Sequence, residues 1–181
     1  MKHQARRPLT ALAFTLLLSS GGATLAQNPT LAPVDRTFME QAAENGHAGV
    51  SAGRLALTKA RDPKVRAFAQ RMVDDHTRVG EELRTLAAAK QHDIPTEPST
   101  RQKGQEMVIA VLSDETFDRR YLHQMGVEAH KAAIPLYEKT ERESRDPEVK
   151  AFASRHLPAL RGHLQAAQAL KAEVDAGPGA R

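Results

Sequence analysis

Apolar and small residues recur at three- and four-residue intervals along four long segments of the chain, the period of one face of a helix. Between 35 and 60 the stripe is Phe38, Ala42, Gly46, Gly49, Gly53, Ala56 and Ala60. The next stripe is Val65, Phe68, Ala69, Met72, His76, Val79, Leu83 and Leu86. Residues 114–144 align Tyr121, Leu122, Met125, Ala129, Ala133 and Tyr137, and the last segment runs from Val149 through Phe152, His156, Leu160, His163 and Ala167 to Leu170. No stretch alternates as a half-buried strand would. The pattern predicts an all-α protein with four long helices.

Two of these segments are nearly the same sentence. RDPKVRAFAQR at 61–71 matches RDPEVKAFASR at 145–155 without a gap. In each copy the Asp is a natural N-cap, and the Pro suits the first helical position, where no N–H is needed. Each copy therefore turns one helix into the next. The chain reads as two copies of a helical hairpin, neither able to bury its stripe alone, so the two pair as a four-helix bundle over 35–175. HDIPTEPST breaks structure after the second helix, and RQKGQEMVIAVL then reads as a short helix inside a long crossover at about 92–113. A crossover of that length allows the ferritin-like arrangement. Pro135 and Pro158 fall inside helices and predict kinks that expose carbonyls near His130 and His156.

The ends read differently. Residues 1–26 have a basic start at Lys2, Arg6 and Arg7, an apolar run from Leu9 to Leu18, and small residues at Thr24 and Ala26. That is the pattern of a secretory signal peptide, with an apolar run too short to span a bilayer. Residues 27–34 read as a flexible lead-in and 176–181 as a disordered tail. The expected destination is outside the cytoplasm: the periplasm first, with outer-membrane association or the extracellular space as alternatives. Export changes the charge picture. The whole chain carries +4, but without the leader 23 Lys and Arg face 22 Asp and Glu, a net charge of +1. The basic character lies in the leader, so nucleic acid is not an expected partner and no transmembrane span is expected in the mature form. A homodimer and an unidentified envelope protein stay open as partners. With no Cys there is no disulfide, no thiolate metal site and no covalent c-type haem attachment.

Histidines are the candidate chemistry. At 100° per residue, His76 lies within about 20° of its stripe centre and His156 and His163 within about 60° of theirs. His130 sits at the stripe edge, about 90° off, and His47 points away at about 120°. Imidazoles from three helices thus converge on one interior. Such a set suits a divalent transition metal (Zn, Cu, Fe or Ni), and bundle interiors commonly hold metals. The candidate ligands are His76, His130 and His163, with His156 and Asp75 as helpers; Asp75 is either a ligand or a group that orients a ring. Rings more than about 6 Å apart would remove the site, since Zn–N bonds are about 2.0–2.1 Å. A di-iron centre needs two inward Glu-x-x-His pairs, and the one present, Glu44 to His47, faces out. Three functions stay open: a metal-binding module in metal handling or envelope stress, a non-catalytic envelope protein with packed histidines, and a metal or haem oxidoreductase, for instance with Met72 opposite His156 or His163.

FMEQAAENGHAGVSAGRLAL, DPKVRAFAQRMVDDHTRVGEEL, FDRRYLHQMGVEAH and LPALRGHLQAAQAL together resemble the bacterial domain-of-unknown-function 4142 family, over nearly all of the chain after the leader. The resemblance implies export and a ferritin-like fold, and no biochemical function. It also implies inward polar positions at Asp75, His76, His130 and His163. One departure stands out: family members commonly have Glu where this chain has Gly49, so a carboxylate that would point at the histidines is missing here.

Overall fold

The computed structural model describes residues 31–177. The leader at 1–26 and the last residues of the tail lie outside them. Every regular element among the described residues is helical: α1 (Pro33–Lys59), α2 (Pro63–Ala89), α3 (Thr100–Ala110), α4 (Asp114–Tyr121), a π-helical stretch (Leu122–Glu128), α5 (Ala129–Glu143) and α6 (Pro147–Ala176). The first helix thus begins at Pro33 rather than 35, where proline is preset for the helix and Ala32 stays extended.

The repeated turn forms both times as its residues dictate. The Asp62 carboxylate accepts the Lys64 N–H at 2.7 Å, and that of Asp146 accepts the N–H groups of Glu148 and Val149 at 2.9 and 3.1 Å. The first turn has a second clamp: buried Asp118, from α4, accepts the N–H groups of Arg61 and Asp62 at 3.1 and 2.8 Å. α1 packs mainly on α2 and α5 mainly on α6, and the two hairpins meet through α1 with α5 and α2 with α6. The crossover carries the expected short helix, opened by a capping box between Ser99 and Gln102.

Two apolar clusters fill the interior. One gathers Val65, Phe68, Met72, Ile109, Phe117, Tyr121 and Val127. The other gathers Phe38, Met39, Leu83, Tyr137, Val149, Phe152 and Leu160, with Phe38 edge-on to Tyr137 at 5.0 Å.

The third long helix departs from the regular stripe. Upstream its buried residues are Phe117, Asp118, Tyr121 and Leu122; downstream they are Gly126, Val127, His130, Ala133 and Tyr137. A uniform α-helix would have continued through Met125 and Ala129, yet Ala129 is exposed. The π-helical turn, in which the Ala129 N–H bonds to the Gln124 carbonyl five residues back, inserts one residue and turns everything after it. His130 therefore moves from the stripe edge to the interior, 4% exposed.

Pro135 and Pro158 lie on exposed faces of α5 and α6, and both helices continue through them. The carbonyl that meets His130 belongs to Gly126, not to a residue freed by Pro135.

Candidate metal centre

The three central histidines stand in one layer between the two apolar clusters. On α2, His76 falls between Met72 of one cluster and Leu83 of the other; on α5, His130 falls between Val127 and Tyr137; on α6, His163 falls between Ala167 and Leu160. Ring centroids are 5.8 Å apart for His76 and His130, 5.8 Å for His76 and His163, and 5.4 Å for His130 and His163. One ring nitrogen from each lies within 4.8 Å of the others. An ion at the centre of a triangle of that size sits about 2.8 Å from each nitrogen, so small ring rotations reach the 2.0–2.1 Å of a Zn–N bond.

The far nitrogens fix the tautomers. His130 Nδ1 is 2.8 Å from the Gly126 carbonyl, which can only accept, so Nδ1 carries the proton. His163 Nε2 is 2.9 Å from Asp75 Oδ2 and donates to that carboxylate. The opposite nitrogens, His130 Nε2 and His163 Nδ1, are buried lone pairs without a hydrogen-bond partner. Asp75 is itself held by Arg78 at 3.1 Å and Arg71 at 3.5 Å. Burial alone would raise its carboxyl; the hydrogen bonds from His163 and Arg78 outweigh that and hold it below the usual carboxylate range. Of the two roles open to Asp75, the geometry is that of the ring-orienting group.

Burial keeps the cluster neutral. It pushes His76 down to about 3, with His130 and His163 repelling a proton in the same direction. It pushes His130 down to about 4, against the Gly126 hydrogen bond. Burial lowers His163 as well, against the pull of Asp75. Neutral imidazole is the form that ligates a metal.

His156 does not join the cluster. It lies seven residues, or about 10 Å of helix rise, before His163. There its Nε2 is 3.0 Å from Glu82 Oε2 and its ring lies 4.4 Å from that of Phe152. It is a buried histidine paired with a neighbour, and the helper role expected of it has no geometric basis. His47 is exposed, as its angle predicted.

Gly49 makes room for the cluster. A Cβ there would stand 2.6 Å from His76 Cδ2 and 2.9 Å from Nε2, so the ring occupies the space a side chain at 49 would take. Gly53 instead lets α2 approach: a Cβ would meet Val73 at 2.7 Å and the Ala69 carbonyl at 3.1 Å. Gly46 has open space beside it and serves no close contact. The apolar period puts Gly49 on the inner face of α1; its direct contact with His76 depends on the helix–helix distance.

A comparison with curated proteins finds no match. Among solved structures, the chain is similar to a DUF305 fragment from Deinococcus radiodurans, at a TM-score of 0.70 and 15% identity, over 80% of this chain and 99% of that one. That likeness concerns the fold alone. A family model described as a domain of unknown function (DUF4142) matches residues 20–170. With most of its length matched, this chain belongs to the DUF4142 family.

Proposed function

We propose that this protein is an exported, ferritin-like four-helix bundle that binds a divalent transition metal (Zn, Cu, Fe or Ni) through His76, His130 and His163, for metal handling or the response to envelope stress. Asp75 and the Gly126 carbonyl serve as the outer hydrogen-bond partners that set the ring tautomers. The observation that carries this reading is the pair of buried, unpartnered lone pairs on His130 Nε2 and His163 Nδ1, beside the ring of His76. A buried polar atom without a partner costs about 1–3 kcal/mol, and His156, outside the cluster, avoids that cost by pairing with Glu82.

Elemental analysis of the untagged protein tests it, alongside a His76→Ala/His163→Ala double variant. The expected result is near-stoichiometric metal in the wild type and loss of it in the variant. Absence of metal from both, after reconstitution with each of the four ions, would leave an interaction bundle with packed histidines.

A further inference from the structure

Next to the histidine layer lies a cavity of about 170 Å³. Two of the three rings, His76 and His130, form part of its wall. Met72, Leu83, Tyr121, Tyr137 and Leu160 are the buried large residues of its lining, and the half-buried amides of Asn45, Gln102, Gln105 and Gln124 line it as well. Charge reaches it only through Arg101 and Glu128, both exposed. Three protein nitrogens leave a tetrahedral ion with an open fourth position, the arrangement of exchangeable rather than purely structural sites. A dry apolar cavity of about 150 Å³ is large enough for one benzene ring.

We infer that the open position faces this cavity and takes an uncharged, single-ring molecule that donates one nitrogen or oxygen lone pair to the metal. This rests on the metal reading above. The lining selects the class. The buried part of the wall is apolar and favours a flat hydrocarbon body over a hydrated anion, and the metal, beside the few half-buried amides, supplies a polar contact that orients the ligand. The protein would then act on, or sense, a small aromatic donor rather than only store the ion.

Cobalt(II) makes the test visible, because its d–d absorption changes with coordination number and donor set. The protein is loaded with cobalt(II) and titrated with pyridine, with toluene as the same ring lacking a donor, and with azide as a small anionic donor. Gly46→Leu is the blocking variant. Gly46 lines the cavity, and a Cβ there meets no heavy atom within 4 Å, so the first carbon of a side chain is accommodated at this position of the helix. The expected result is a pyridine-dependent spectral change, competed by toluene, with apparent affinity at least about tenfold weaker in Gly46→Leu. The cobalt spectrum without pyridine should be unchanged in that variant.

A cobalt spectrum that requires His130 but ignores pyridine, or responds to azide alone, would overturn the aromatic ligand and leave the metal site standing. A pyridine response that toluene does not compete and Gly46→Leu does not weaken would also overturn it, placing pyridine elsewhere. No cobalt spectrum in the wild type, together with none of the four ions retained in the elemental analysis, would remove the metal site itself, and the open position with it.

Discussion

At the scale of single residues, the cluster depends on a side chain that is absent. Gly49→Ala adds one carbon 2.6 Å from the His76 ring, so the ring must leave its place. Because the obstacle is the end of a side chain, the fold survives, and alanine gains up to about 1 kcal/mol of helix propensity over glycine. The expected outcome is metal affinity at least about tenfold weaker, or 1.4 kcal/mol, with an unfolding temperature that does not drop; competition titration and thermal melts read the two effects separately. The same rings predict a pH dependence. His76 and His130 are held at about 3 and about 4, below the ordinary 6.5. Between those values the unfolded chain binds more protons than the fold, so stability is full above pH 6.5 and declines as pH falls. The Asp75 and Asp146 carboxyls are held below 3.8, too low to contribute near pH 5, while burial raises Asp118, a single carboxyl acting against several lowered imidazoles. A urea midpoint lower at about pH 5 than at about pH 7.5 is therefore expected of the metal-free protein; an unchanged midpoint would contradict the neutral cluster.

At the scale of elements, two features decide where the helices point. The Asp118 carboxylate closes the α1–α2 turn from a third helix, joining the two hairpins through hydrogen bonds rather than apolar contact. Asp118→Ala leaves two N–H groups of the turn without that acceptor, at about 1–3 kcal/mol for each donor left dry. A loss of about 2–4 kcal/mol in chemical denaturation is expected, against a fraction of that for Thr116→Ala at an exposed site of the same helix. The other feature is the π-helical turn. Without it, Ala129 would face inward where His130 now does. π turns of this kind often accompany functional sites, and here it brings the third imidazole into the layer.

At the scale of the molecule, the histidine layer divides the core into two apolar halves and ties α2, α5 and α6 together. A ligand bound only by the folded state adds about 2.7 kcal/mol at a free concentration of 100 times its Kd. For a chain of this size each kcal/mol shifts the melting point by about 2–4 °C, so metal at that excess should raise it by about 5–10 °C. Calorimetry with and without metal, then with a chelator, checks this; His163→Ala should show no increment. No helix among the described residues is long and apolar enough to cross a membrane.

Much of this protein is local in origin. The apolar period, the twin Arg-Asp-Pro turns and the Ser99 cap each involve residues within a few positions of one another, and such interactions specify helices and turns wherever the chain goes. So the all-α class, the helical hairpins and the short crossover helix are legible in the sequence. The inward aim of His76 and His163 is legible too, because α2 and α6 keep a uniform period. His130 falls at the edge of the sequence stripe because a single inserted residue in a turn leaves no compositional mark. His156 looked equivalent to His163 because angle alone does not reveal a partner, and Glu82 arrives from another helix. Gly49 and Asp118 act across interfaces, through distances that only the packed helices define. Sequence periodicity sets which face of a helix is buried; what that face meets, and so whether an imidazole finds a carboxylate or an open lone pair, is decided by the tertiary structure.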